Sequence, residues 1–314
     1  MSQILITGSA GFIGSSLSEK FIKNGINVTG IDSFFSNYPR ADKINNIEYI
    51  INSSSFSFYE SDLLFDQLYS LLQNKEAIFH LAALPGINRK YFYKDYVERN
   101  FNTTKLLLDA SIKSNVKHFF YISTSSIYGS YVNGDEDLKP KPCSYYGYTK
   151  YISEKLCMEY CRKYSMPVTI LRYFSVYGPR QRPDMAYHRF INCLLFKRPI
   201  EIYGDGQQKR TNTYIDDCVN ASYKAYINRA KLCGQVINIA GNELISVNEV
   251  IELLSTMLNC RPNVVFKKHK VGDQQYTYTS IKKAKELLDY MPSTDLVTGL
   301  KSQLIWQIDK LKHP

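Results

Sequence analysis

"QILITGSAGFIGSSLSEKFIKNG", residues 3–25, decides the fold. The apolar run over 3–7 reads as a buried strand, and 12–24 reads as a helix that Gly25 ends. Between them, Gly8-Ser9-Ala10-Gly11-Phe12-Ile13-Gly14 opens the helix directly from the strand. A turn of this kind lets backbone approach a pyrophosphate, while the helix N-terminus offers N–H donors and the positive end of its dipole. The spacing differs from Gly-x-Gly-x-x-Gly, and a glycine-rich stretch taken alone also suits an ordinary tight turn. Context decides between the two. The next strand, "NVTGID", ends at Asp32, about 20 residues further on, where a carboxylate accepts from ribose hydroxyls. No Arg or Lys follows it immediately to meet a 2′-phosphate, so the expected cofactor is NAD rather than NADP.

Further along, "AIFHLAA", "HFFYIST" and "MPVTILRYF" read as strands, with helical stretches near 63–73, 95–114 and 145–165 between them. Such alternation predicts an α/β fold, a doubly wound parallel sheet with helices on both faces. The second half is mixed. "DMAYHRFINCLLFK" and "YIDDCVNASYKAYINRA" read as helices, "PIEIYG" and "QVINIAG" as strands. "ISVNEVIELLSTML" reads as a helix capped by Ser246, with Glu249 closing a capping box.

Composition narrows the classes. The 314 residues carry 39 Lys and Arg against 29 Asp and Glu, a formal charge of +10. Much of that Lys falls on helix faces such as "IKKAKELL" and "QIDKLKHP", which argues for solvated surface rather than nucleic-acid binding and leaves room for a small polyanionic ligand. No run approaches the roughly 18 apolar residues of a membrane span. The opening residues show neither a basic n-region nor an apolar h-region, so a cytoplasmic protein without a signal peptide is expected. Seven scattered Cys without a C-x-x-C, and five dispersed His, fit reduced thiols and no metal site.

The chemistry is expected in "TSSIYGSYVNGDEDLKPKPCSYYGYTK", residues 124–150. Tyr146 and Lys150 stand at i and i+4 and share a helix face. A phenol with a pKa near 10 is a poor base at neutral pH. A neighbouring ammonium and a cationic nicotinamide both favour the phenolate. Thr124, at the end of a strand, is placed to bond the same substrate oxygen. Tyr145, Tyr148 and Tyr151 have no Lys four residues on and read as packing or surface residues.

"GSAGFIG", "HLAA", "STSSIYG", "YGYTK" and "LRYFSVYGPRQRPDM" together resemble the extended short-chain dehydrogenase/reductases that act on nucleotide sugars. The resemblance covers essentially the whole chain. It implies a Rossmann NAD-binding domain over 1–175, with segments near 211–240 packing back on it, and a smaller mixed α/β domain over 176–314 for the nucleotide sugar. It also implies Thr124, Tyr146 and Lys150 as the catalytic set. The cofactor side would comprise Gly8, Gly11, Phe12, Ile13, Gly14, Asp32, Ser33, Asp62, Leu63, Leu81, Ala82, Ala83, Asn100, Ser123, Tyr173 and Val176, with Tyr146 and Lys150. The sugar side would comprise Pro85, Gly86, Ser125, Ser126, Ser175, Arg182, Met185, Arg189 and Arg210, with Thr124 and Tyr146; Arg189 and Arg210 match positions that contact pyrophosphate. A homodimer through the helices near 91–114 and 145–165 is a further expectation of the family.

Which reaction follows from details. Dehydratases of this family carry an Asp–Glu pair after the catalytic Thr; here Ser125 and Ser126 occupy those positions and cannot exchange protons near neutral pH. The stretch around Arg182 is similar to that of UDP-glucuronate 4-epimerases, where it borders the sugar carboxylate, and a guanidinium pairs with a carboxylate bidentately. The expected activity is inversion at C4 of a UDP-sugar, UDP-glucuronate to UDP-galacturonate, through a transient 4-keto sugar. The alternatives are 4-epimerisation of UDP-glucose or its N-acetyl analogue, decarboxylation of UDP-glucuronate, and an NAD sensor or scaffold without catalysis. Three departures bear on the substrate: Ser175 stands where Thr is usual, Asn88 precedes Arg89 where Arg comes directly, and Ser280 stands where an Asp is expected.

Overall fold

Both faces of the main sheet are apolar, which is why its parallel strands read as continuous apolar runs and do not alternate in polarity. Ile4 and Ile6 of the first strand face one layer and Leu5 the other; Phe79 and Ile78 divide likewise, as do Phe120 and Phe119. A computed structural model describes residues 3–35, 39–66, 68–73, 75–86, 90–269 and 272–312. Asn88 and Arg89 lie outside them. The seven strands are β1 (Gln3–Thr7), β2 (Asn27–Asp32), β3 (Phe56–Glu60), β4 (Ala77–His80), β5 (Phe119–Thr124), β6 (Val168–Tyr173) and β7 (Gln235–Ile239). All neighbours pair in parallel, in the order β7-β6-β5-β4-β1-β2-β3. Helix α1 (Phe12–Lys23) packs Leu17 and Phe21 into the layer that also holds Tyr226. Leu107, Leu108, Cys157 and Tyr160 fill the opposite layer. This is the doubly wound, Rossmann-like arrangement read from the strand–helix alternation.

The order of strands reverses between β1 and β4. There the chain leaves the sheet in opposite directions from two adjacent strands, and a crevice opens beyond their carboxyl ends. A smaller four-stranded sheet lies beside it: Leu244–Ser246, Lys209–Thr211, Tyr276–Thr279 and Tyr131–Gly134, in that order. β7, although late in the sequence, completes one edge of the main sheet by pairing with β6.

Some elements depart from the sequence reading. Helix α2 (Arg40–Ile51) and strand β3 were not foreseen. In α2, paired Asn and β-branched Ile lower helix propensity, and β3 is an edge strand with mostly exposed side chains. The stretch near 63–73 is helical only over Tyr69–Leu72. Before it, the Asp66 carboxylate accepts from the Ser61 hydroxyl and the Asp62 N–H, closing a turn instead. The stretch 95–114 is broken by a π-helical turn over Val97–Asn102, ahead of α3 (Thr103–Lys113). Helix α4 (Tyr145–Tyr164) runs as read, with Ser144 capping it. Helix Val247–Met257 has the foreseen capping box of Ser246 and Glu249.

Two buried imidazoles tie the sheet to its layers. His118 bonds Thr169 at 2.8 Å and stacks on Phe120, while His80 bonds Thr7 at 2.8 Å and Thr104 at 3.1 Å. Burial, then the charge of Arg229, holds His118 at about 4; burial, then Lys150, holds His80 at about 3. Both lie below the ordinary 6.5 of the unfolded chain. Between pH 6.5 and about 4 the unfolded chain therefore binds protons that the folded chain refuses. Stability against urea is expected to fall as pH drops through that window. His118→Gln should flatten the fall; an unchanged slope would contradict the assignment.

Candidate active site

The crevice is a cavity of about 370 Å³, and its walls come almost entirely from residues that follow the carboxyl ends of parallel strands. After β1 comes the glycine turn. Gly8 has φ +71° and donates its N–H to the Ile31 carbonyl at 2.7 Å. A Cβ on Gly14 would stand 2.1 Å from the Gly8 carbonyl oxygen, and one on Gly8 would stand 3.0 Å from the Ala82 nitrogen. At Gly14 only hydrogen fits, and at Gly8 the positive φ and the tight approach both favour glycine. Gly11 caps α1 without any side-chain acceptor, so the first N–H groups of the helix have no cap of their own. The donor set suits a diphosphate.

After β2, Asp32 is buried and already engaged. Its Oδ1 accepts from Lys43 Nζ and the Phe34 N–H, both at 2.8 Å, and its Oδ2 from the Ala10 N–H at 3.3 Å. Oδ2 thus keeps acceptor capacity toward the cavity. Lys43, eleven positions on in α2, does not stand out among the residues directly after Asp32. Asp62, after β3, pairs with Arg99 at 2.6 Å, and Arg99 lies over the Phe35 ring at 4.1 Å. Ser33, Leu63, Leu81, Ala82 and Ala83 also line this end, as do Phe12 and Ile13. The buried hydroxyl of Ser123 lines the cavity and has no partner. Glycines that a Cβ would fill, an acceptor behind them and an orphaned hydroxyl together fit a dinucleotide.

The other end of the cavity gathers Thr124, Ser125 and Ser126 after β5, Tyr146 and Lys150 on α4, and Tyr173, Ser175 and Val176 after β6. Pro85, Gly86, Arg182 and Met185 complete it. Tyr145 and Tyr148 are exposed on the outer side of α4. The Tyr173 hydroxyl is committed to Ser222 at 2.6 Å, which leaves Tyr146 as the phenol available for chemistry. Thr124 lies in hydrogen-bond reach of the Tyr146 phenol and 3.3 Å from Ser126 Oγ. With one proton it donates to one of them at a time.

Here the electrostatics differ from the sequence expectation. Burial raises the Tyr146 phenol above its ordinary value, and what opposes the rise is the Thr124 hydrogen bond and the charge of Arg182, not Lys150. Burial brings Lys150 itself down to about 7. The chain alone therefore keeps the phenol protonated.

Arg182 is held bidentately by Asp184, at 2.9 and 3.0 Å, while its guanidinium also borders the cavity; a Cβ on Gly86 would lie 3.8 Å from Nη2. Ser175 adopts φ +28°, an unusual value for a residue with a Cβ.

Three predicted residues do not line the cavity. Asn100 is buried in the π-helical turn and spends its amide on structure: Oδ1 accepts from the Leu84 N–H at 2.7 Å, and Nδ2 donates to the Leu84 carbonyl and Thr149. It fixes the loop after β4 against α4. Arg210 reaches the cavity at one remove. It pairs with Asp273 at 2.8 Å and bonds the Gln274 carbonyl. Gln274 lines the cavity and donates to the carbonyls of Ser125 and Gly129 at 3.2 and 2.9 Å. Arg189 is exposed on the helix Ala186–Leu195. Ser280 accepts from the Lys282 N–H and starts a helix. Lys43, Arg99 and Gln274 are lining residues that motif reading missed, since they come from elements brought together only by folding; Leu84, between Ala83 and Pro85, was passed over within the loop after β4.

Gly14→Ala is expected to cost about 1–3 kcal/mol of stability and to weaken NAD binding at least tenfold, both measurable by denaturation and calorimetry. Gly134→Ala, where a Cβ meets nothing closer than 3.6 Å, should be nearly neutral.

Residues 4–240 match the NAD dependent epimerase/dehydratase family. The chain is 34% identical over 319 residues to a UDP-glucuronate 4-epimerase of Thermodesulfobacterium geofontis, covering 99% of this chain and 98% of that one. It is 40% identical to YtcB of Bacillus subtilis, described as an uncharacterized UDP-glucose epimerase, with 97% of each chain covered. Among solved structures, a UDP-glucuronic acid 4-epimerase from Bacillus cereus in complex with UDP-glucuronic acid and NAD superimposes with a TM-score of 0.96 at 40% identity, over 98% of this chain and 99% of that one. Glycine cradle, phenol, sheet order and relatives agree: the chain belongs to the NAD dependent epimerase/dehydratase family.

Proposed function

We propose that the protein inverts C4 of a UDP-sugar, and that the sugar is UDP-glucuronate, giving UDP-galacturonate. The observation that carries this reading is a single cavity bordered by Thr124, Tyr146, Lys150 and the Arg182 guanidinium, with Ser125 and Ser126 where a dehydratase needs acids. Similarity to the uronate epimerases of Thermodesulfobacterium geofontis and Bacillus cereus supports it.

Bound NAD supplies a reversible acceptor for the C4 hydride and a positive charge close to the phenol. The glycine turn and Asp32 would hold the cofactor, and Lys150 lines the same cavity beside Tyr146. Tyr146, ionised there, takes the proton of the C4 hydroxyl and returns it after the sugar has turned about its link to the diphosphate. Thr124 steadies the same oxygen. The 4-keto uronate is a β-keto acid and loses carbon dioxide when its carboxylate bond aligns with the carbonyl. In this proposal Arg182, Ser125, Ser126 and Thr124 hold the carboxylate out of that alignment, and Asp184 yields the guanidinium to the substrate. Arg210, through Gln274, and Arg189 serve the diphosphate from outside the cavity wall. Exposed Tyr145, Tyr148 and Leu106 on α4 and α3 support a homodimer through those helices.

Incubating the purified protein with UDP-glucuronate, without added NAD, should give UDP-galacturonate by NMR. A UDP-pentose would instead indicate decarboxylation. Tyr146→Phe should abolish turnover; full activity in that variant would remove the phenol from the mechanism. Arg182→Ala should lower kcat/KM for the uronate by about ten- to a hundredfold and for neutral UDP-hexoses only several-fold. Equal losses would contradict the carboxylate assignment.

A further inference from the structure

Lys150 is a buried cation with an unusual neighbourhood. It is 3% exposed, yet among the described residues its ammonium has neither a carboxylate nor a hydrogen-bond acceptor in contact. What it meets is a ring: Nζ lies 4.0 Å from the centroid of Tyr121. Tyr121 is fully buried on β5, three residues before Thr124.

Cys157 and Glu154, on the same helix, also favour the charged ammonium, though neither is in contact with it. Glu154, one turn along α4, gives both oxygens to Arg172, at 3.0 and 2.7 Å. Cys157, a further turn along, has its thiol pushed up by burial and stays neutral. His80 on β4 stacks obliquely on Tyr121 at 5.9 Å and is neutral as well. Tyr146 is protonated in the chain alone, as derived above. Burial without compensation would strip the ammonium of its proton. The face of an aromatic ring attracts a cation through its quadrupole, and most strongly where water is excluded.

We propose that Tyr121 is a positioning residue whose ring face seats the Lys150 ammonium, keeping it charged and directed at the cavity. The ring and not the hydroxyl does this. The hydroxyl of Tyr121 has no hydrogen-bond partner of normal geometry, because its neighbour Ser153 donates to the carbonyls of Asn100 and Thr149 at 3.2 and 2.8 Å. Burial that would hold Lys150 at about 7 makes such support consequential, since the residue titrates within the working range. Loss of the seat lowers its midpoint further and removes the charge as pH rises. The proposal rests on the assignment of Lys150 and Tyr146 to the reaction.

The test uses full-length protein with ¹³C-labelled lysine, the Lys150 resonance being identified by its loss in Lys150→Met. Its titration midpoint is read by NMR beside the pH profile of kcat/KM. Tyr121→Phe should match the unsubstituted protein in both. Tyr121→Leu should lower the midpoint by about one pH unit, move the alkaline limb of the profile by the same amount, and cost about tenfold in kcat/KM at pH 8. Should Tyr121→Leu not fold, Tyr121→Met retains bulk without a ring and carries the same expectation. A midpoint and limb unmoved by loss of the ring would overturn the proposal, and so would a shift in Tyr121→Phe as large as in Tyr121→Leu. The midpoint is read without turnover, so it tests the seat even if Lys150→Met proves fully active, an outcome that would sink the catalytic assignment instead.

Discussion

The structure depends on one close approach. The carbonyl oxygen of Gly8 occupies the space that a Cβ on Gly14 would need, at 2.1 Å. Because nothing but hydrogen fits there, α1 starts hard against the end of β1. Because Gly11 caps that helix without a side chain, its N–H groups are left for a ligand. The same turn places Gly8 against Ala82 after β4, at the point where strand order reverses. Cradle and crevice are therefore one feature. The glycine turn that would hold a diphosphate lines the same cavity as Tyr146 and Lys150.

The reacting end is built largely from groups that burial keeps neutral. The Tyr146 phenol is raised, the Cys157 thiol is raised, and His80 is held at about 3. Lys150, at about 7, and Arg182 are the cations near the phenol, and Arg182 is restrained by Asp184. In such surroundings a charge brought by a ligand acts at low effective dielectric.

Much of this was legible before folding was considered. Gly8, Gly11 and Gly14 between a strand and a helix, and Tyr146 with Lys150 one turn on, pointed to residues that line the crevice, because both are local patterns with a fixed period. Lys43, Arg99 and Gln274 were not legible. Each reaches the cavity from an element remote in sequence, α2, the π-helical turn or the loop before the small sheet, and no local spacing marks it. Asn100 shows what motif matching leaves out. Its place in the chain suggested a position near the cofactor, and folding adds three hydrogen bonds that tie it to Leu84 and Thr149. The small sheet was missed because its strands are short and pair across long separations, with β-type patterns too brief to separate from loop.

The central claim is that C4 of the sugar is inverted with its own hydrogen kept inside the cavity. UDP-glucuronate carrying deuterium at C4, turned over in ordinary water without added cofactor, tests it most directly. The account predicts UDP-galacturonate that retains the deuterium at C4. Product with that deuterium exchanged for solvent hydrogen would contradict it.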